Sequence, residues 1–184
     1  GLKKAYANGT ELRGKTLGIV GIGRIGQATA KMALGLGMKV IAADMFIPKV
    51  DVKVEFFDGQ SITTTILSQS LESLFKEADF ISLHVPAQDG YIVDEATLSI
   101  MKDGVGIVNC ARGGVIDEVA LIKALDSGKV SFAGLDVFES EPKPEMTILM
   151  HPKISLTPHI GAATGEAQDR IGTELASQII SILS

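Results

Sequence analysis

Gly21-Ile22-Gly23-Arg24-Ile25-Gly26 decides how the rest of this chain is read. It follows the apolar run Thr16–Val20 and opens a stretch, 23–36, in which Ile25, Ala28, Met32 and Leu36 recur at helical spacing before Gly37. The pattern predicts a strand, then a helix with those four residues on one face. A G-x-G-x-x-G between strand and helix has a mechanism. Gly21 permits a tight turn, Gly23 lets backbone approach a pyrophosphate without a side chain in the way, and Gly26 lets helix and strand pack closely. The helix N-terminus offers N–H groups and partial positive charge to the phosphates, with Arg24 and Ile25 contributing backbone donors. A glycine-rich turn that holds nothing is the alternative for these six residues alone. Asp44 ends the next apolar run, Val40–Ala43, 18 positions beyond Gly26. An acid there accepts hydrogen bonds from the adenosine ribose and repels a 2′-phosphate, and neither Met45 nor Phe46 is a cation, so the pair of features favours NAD over NADP. For Asp44 by itself, a solvated strand-end charge is the alternative.

Outward from this loop, strand-like and helical patterns alternate, the signature of crossover units and a parallel sheet. Strands are expected at 80–83, 106–108, 132–135 and 154–156, and helices at 71–77, 95–101 and 117–127, the last closed by Gly128. A long helix is expected from Gly165 onward. Residues 45–70 are the least regular, with Pro48, Gly59 and the run Thr63-Thr64-Thr65 as an edge-strand candidate. The class is α/β: a Rossmann-type doubly wound parallel sheet with helices on both faces, whose ligand chemistry belongs on the rim of strand carboxyl ends. All of residues 1–184 read as one NAD-binding domain.

Composition narrows the function. A formal net charge of -5 argues against a nucleic-acid surface. No apolar stretch approaches a membrane span, and the first residues lack a signal-peptide segment. The single cysteine, Cys110, excludes an internal disulfide framework and a multi-cysteine metal site, and fits a reducing cytoplasm. The histidines, at 84, 151 and 159, have no ligand-like spacing, so no metal is expected.

Three further segments each end an expected strand and carry a charged or titratable residue: Asn109-Cys110-Ala111-Arg112-Gly113-Gly114, Asp136-Val137-Phe138-Glu139-Ser140-Glu141-Pro142, and Thr157-Pro158-His159-Ile160-Gly161. Taken singly, Arg112 could be a surface ion pair, Glu141 a turn residue and His159 a loop histidine. In this order they resemble the cofactor domain of the D-2-hydroxyacid dehydrogenase family, over essentially the whole chain. Within it, Asn109–Gly114 and the run 157–168 look most like the branch that oxidises 3-phosphoglycerate in serine biosynthesis. The resemblance implies a small 2-hydroxy acid substrate, NAD as cofactor and a homodimer joined through this domain. It makes His159 the general base, Glu141 the acid that orients it, and Arg112 the group that forks onto the substrate carboxylate. It also assigns Val85, Pro86, Cys110, Ala111, Arg112, Asp136, His159 and Gly161 to the cofactor's surroundings, with Asp136 at the nicotinamide end. Glu139 is the residue most easily mistaken for Glu141. His84 is given no chemistry, His151 is expected to be a solvated loop residue, and Met32, Met38 and Met101 to be core.

The family places a substrate-binding domain before the glycine-loop strand, where only fifteen residues precede Thr16 here. The isolated chain is therefore expected to bind NAD and turn over almost no substrate. Asp51 to Ser70 departs from the family pattern. A short-chain reductase is rejected because neither Tyr6 nor Tyr91 has a Lys four residues on. A methyltransferase leaves the second half unexplained. Another D-2-hydroxyacid dehydrogenase, or an NAD-sensing corepressor-like module, remains open.

Overall fold

The computed structural model describes residues 9–183. In chain order these form β1 (Thr16–Val20), α1 (Arg24–Gly35), β2 (Lys39–Ala43), β3 (Lys49–Glu55), β4 (Ser61–Leu67), α2 (Leu71–Glu77) and β5 (Phe80–Leu83). There follow α3 (Glu95–Ile100), β6 (Val105–Asn109), α4 (Glu118–Ser127), β7 (Val130–Leu135), α5 (Met146–Leu149), β8 (Ile154–Leu156) and α6 (Gly165–Leu183). One sheet runs β2-β1-β5-β6-β7-β8 with every neighbouring pair parallel. Parallel neighbours need crossovers that cover the sheet, which is why these strands are nearly continuous apolar runs. The strand order turns back at β1, and the crevice between its neighbours β2 and β5 opens at the strand ends that carry Gly21, Asp44 and His84. This is the Rossmann-type architecture expected from the sequence.

Two packed layers flank the sheet. On one side Val20, Ile41, Ile81, Leu83 and Ile107 join Leu74, Phe75, Leu98, Leu121 and Leu125 from α2, α3 and α4. Leu74 and Phe75 are fully buried, each worth about 1.5–3 kcal/mol by removal of apolar area from water. Gly18 makes room for Leu74, since a Cβ there would stand 2.7 Å from Leu74 Cδ2. On the other side Ile19, Ile22 and Ala42 pack against Ala30 of α1 and against Val52 and Ile66. Helix ends follow local chemistry. Asp94 and Thr97 form a reciprocal cap on α3, Asp117 caps α4, and Gly128 closes α4 with φ +81°.

Four expectations need correction. The face Ile25–Ala28–Met32–Leu36 of α1 does not enter the core: Ile25, Met32 and Leu36 are 70%, 64% and 56% exposed. The buried face is Gly26, Ala30 and Ala33. Close approach to the strand admits only small side chains, so the larger apolar residues are turned to the surface. For the same reason Met32 is not core, whereas Met38 and Met101 are. Residues 49–67 are not irregular; β3 and β4 pair antiparallel in a separate two-stranded sheet, Val52 opposite Thr64 and Val54 opposite Ile62. The threonine run lies in β4, but its partner is β3, not the edge of the main sheet. His151, expected in solvent, has a side chain only 9% exposed, 3.4 Å from Asp126 of α4 and accepting from the Lys153 N–H. Helix α6 has no buried residue. Among the described residues no helix is long and apolar enough to cross a membrane.

Candidate active site

The three glycines of the first turn behave differently. Gly21 has φ +90°, and a Cβ on it would stand 2.5 Å from the His84 carbonyl oxygen. A Cβ on Gly26 would lie 2.1 Å from the Gly21 carbonyl oxygen. Around Gly23 there is open space, nothing lying within 4 Å. Gly23 is the N-cap of α1, with no side chain capping the helix and no acid in its first turn. Uncapped N–H groups facing open space suit an anionic ligand. Arg24 and Ile25 follow in that turn, both exposed; the Arg24 guanidinium reaches Glu174 of α6 at 3.4 Å.

Asp44, at the end of β2, ties this loop to its neighbour. One carboxylate oxygen accepts from the Ile22 N–H at 2.9 Å, the other from Phe46 and Ile47 N–H groups at 2.8 and 3.0 Å. A carboxylate has lone pairs to spare after three such bonds. At the end of β5, His84 packs its ring on the Ser82 hydroxyl at 2.9 Å, burial lowering its pKa, and Val85 and exposed Pro86 continue along the rim.

The second half of the rim is built by hydrogen bonds across the sequence. Asn109, 2% exposed, accepts from the Ala111 N–H and donates to the Arg112 carbonyl, both at 3.0 Å. That folds the strand end back and leaves Ala111 buried, Cys110 and Arg112 exposed. Although the Cys110 side chain reaches solvent, its partial burial, and then the charge of Asp136, raise the thiol, which does not suit a nucleophile. Asp136, 3% exposed, accepts from the Thr157 hydroxyl at 2.6 Å and from the N–H groups of Ile160 and Gly161 at 2.8 and 2.7 Å. Burial alone would raise its carboxyl; these bonds and the nearby His159 outweigh it and hold the pKa below the ordinary value. Gly161 is needed here, since a Cβ would stand 2.9 Å from Asp136 Oδ2.

Between Thr157 and Ile160, His159 is held at φ +56°, uncommon for a residue with a side chain. Its Nδ1 lies 2.9 Å from Glu141 Oε2. Glu141 also accepts from the Phe138 N–H at 3.1 Å, and first the His159 bond, then this one, lower its pKa. An ionised carboxylate can only accept, so His159 Nδ1 donates and Nε2 is left for a proton in transit. The side chains of His159 and Glu141 are 52% and 36% exposed. A cavity of about 400 Å³ beside them is lined by Phe138, Pro142, Leu149 and Pro158 among others.

Residues 2–161 match the family model described as "D-isomer specific 2-hydroxyacid dehydrogenase, NAD binding domain". The chain belongs to that family. It is 48% identical to a hydroxypyruvate reductase of Thermotoga maritima, over 98% of this chain and 57% of the relative. It is 45% identical to a D-3-phosphoglycerate dehydrogenase of Methanocaldococcus jannaschii, over 95% of this chain and 32% of the relative. The structure of a D-lactate dehydrogenase from Aquifex aeolicus, complexed with NAD and lactic acid, superposes with TM-score 0.75 at 33% identity, covering 99% of this chain and 59% of that one. The chain thus spans about half the length, or less, of these relatives.

In this 2-hydroxyacid dehydrogenase domain the rim brings together what separate segments of sequence offered. Glu141, and not Glu139, meets His159; Glu139 is engaged elsewhere. Arg112 is not paired to either, its guanidinium bonding the Ala111 carbonyl at 2.6 Å. Sequence reasoning gave no role to Asn109, and none to Thr157 beyond its motif. A buried-type strand ending in Asn, and a hydroxyl two residues before the histidine, were the available signals.

Proposed function

We propose that this domain is the cofactor half of an NAD-dependent enzyme that interconverts a small D-2-hydroxy acid and its 2-oxo acid, with D-3-phosphoglycerate as substrate. The observation that carries the reading is the 2.9 Å His159–Glu141 pair on the same rim as an open, uncapped glycine loop. NAD would be held with its pyrophosphate at Gly21–Gly26, its adenosine ribose at Asp44 and its nicotinamide end toward Cys110, Ala111 and Asp136. When bound, NAD would supply the hydride acceptor for the carbinol carbon. His159 Nε2 takes the hydroxyl proton, Glu141 keeps the imidazole in the donating tautomer and stabilises its cation, and Arg112 binds the carboxylate. One hydroxy acid and NAD⁺ would give one oxo acid, NADH and a proton.

The second reading, hydroxypyruvate as the physiological substrate, is favoured by the 48% identical relative of that name. Both readings share the three residues, and the substrate side chain separates them. The test is steady-state turnover of the longer protein that carries this domain, against 3-phosphoglycerate, hydroxypyruvate, glyoxylate, lactate and their redox partners. His159→Ala should lower kcat by 10²–10⁴-fold, the usual worth of general acid–base catalysis. Unchanged turnover would remove His159 from the mechanism, and NAD binding without turnover of any acid would indicate a sensing module. The isolated domain should bind NAD and turn over almost nothing, since the opposite wall of the cleft would come from outside it.

Homodimerisation through this domain is supported by the exposed Ile25, Met32 and Leu36 on α1. A monomeric mass in light scattering would argue against it. A cytoplasmic location is in keeping with a free thiol at the cofactor rim.

A further inference from the structure

Arg112 and Glu141 sit on different loops with no bond between their side chains, yet the loops themselves are laced together. The peptide joining Phe138 to Glu139 is gripped on both edges. Its carbonyl packs so tightly on Gly113, the residue after Arg112, that a Cβ there would stand 1.8 Å from the oxygen. Its N–H donates to Glu118 Oε1 at 2.8 Å. Glu118 is the first residue of α4, six positions after Arg112, and is 8% exposed. The bond is reciprocated: the Glu118 N–H donates to Glu139 Oε1 at 2.9 Å, and Glu139 Oε2 accepts from the Tyr91 hydroxyl at 3.3 Å. The preceding N–H, of Phe138, is the one that holds Glu141.

We infer that Glu118 and Glu139 are positioning residues: their reciprocal carboxylate-to-backbone clasp fixes the Arg112 loop against the Glu141 loop and so sets Glu141 for its bond to His159. The inference rests on the reading of Glu141 and His159 as the catalytic pair. An apolar pair of side chains at these positions could fill the space, but would leave two N–H groups without acceptors, one of them beside a buried residue. Two carboxylates so close oppose each other. Burial, then the charges of Glu139 and Glu145, push the Glu118 carboxyl above its ordinary value, and Glu139 in turn raises Tyr91, which also feels Asp117. Against that repulsion stands the hydrogen bond that each carboxylate accepts from the other residue's backbone N–H.

The test reads the Glu141 carboxyl directly, by carbon NMR titration of this chain, its signal assigned by its loss in Glu141→Gln. In the unsubstituted protein Glu141 should titrate below an ordinary glutamate. His159→Gln should move it up, which checks the pair itself; if it does not, the catalytic reading fails and not the clasp. Glu118→Ala should also move it up, by about half a pH unit, while Glu118→Gln, which keeps an accepting oxygen, should leave it near the parent value. Amide dispersion reports whether each variant is folded, and Glu139→Ala, at an exposed position, serves if Glu118→Ala is not. A folded Glu118→Ala or Glu139→Ala that titrates with the parent, or a Gln variant as displaced as the Ala variant, would overturn the clasp.

Discussion

Asp44 and Asp136 end two strands of the same sheet, and each accepts three hydrogen bonds from the loop beside it. Asp44 takes Ile22, Phe46 and Ile47, all within 22 residues of it and two of them within three. It remains half-buried at the mouth of the crevice, with exposed Met45 and Phe46 next in the chain. Asp136 takes Thr157, Ile160 and Gly161, 21 to 25 residues away in the loop after β8, and is 3% exposed. One aspartate trims a loop that local sequence already shapes, and keeps a face for ligand. The other is bound up in structure: it holds Thr157, Ile160 and Gly161 on both sides of His159, whose backbone stands at φ +56° with its ring on Glu141. The glycine-loop end of the rim is thus a local device, and the His159 end a tertiary one.

The largest effect should come from breaking the local device at its tightest point. Gly26→Ala puts a Cβ 2.1 Å from backbone, not from a yielding side chain, so α1 must move off the strand. We expect NAD affinity to fall beyond detection in titration calorimetry, with a stability loss of about 1–3 kcal/mol in denaturant unfolding. Retained affinity would mean that the loop adapts.

Asp136→Asn should come next. One oxygen is replaced by an amide, stranding an N–H of Ile160 or Gly161 at a cost of about 1–3 kcal/mol. The pH dependence follows from the sign of the shift. The Asp136 carboxyl is depressed in the folded protein, so its contribution is present above the unfolded value of about 3.9 and is lost as pH falls through the folded one. Unfolding curves of the parent and the Asn variant should therefore converge at acid pH. A constant gap from pH 7 down to pH 2 would assign the stabilisation to something other than this carboxylate.

The smallest effect on the fold, and the sharpest on selectivity, is expected at Asp44. Asp44→Asn keeps a carbonyl oxygen as an acceptor for the loop N–H groups and removes the charge that would face a 2′-phosphate. We expect NAD affinity to fall about tenfold and the preference over NADP to disappear, read by calorimetry with both cofactors. An undiminished preference would place the discrimination elsewhere on the rim.

The two ends of the rim were not equally legible before folding. The glycine loop could be read outright because each of its glycines answers to a constraint within a few residues: a positive φ, an open approach, a helix pressed on its own turn. The hairpin β3–β4 was harder. Its alternation of Val50, Val52 and Val54 with charges is a strand signal, but nothing local says that it folds over α1 and apart from the main sheet. The apolar face of α1 was misread because Ile25, Met32 and Leu36 satisfy helical periodicity as well as any core face would. The packing distance that Gly26 permits turned the small residues inward.

By itself, the amino-acid sequence determined the alternation of strands and helices, the glycine turn at the first strand end, the acid at the second strand end and the order of Arg112, Glu141 and His159 along the chain. Each of these depends on neighbours in sequence, through backbone sterics, periodicity and motif. Only the tertiary structure decided that Asp136 holds the histidine loop and that Glu118 clasps Glu139, and it brought Glu141, which the motif order had named, to 2.9 Å from His159. These bonds join strand ends 18 to 25 residues apart, and which partners meet there is settled by the parallel register of β6, β7 and β8, which no local pattern encodes.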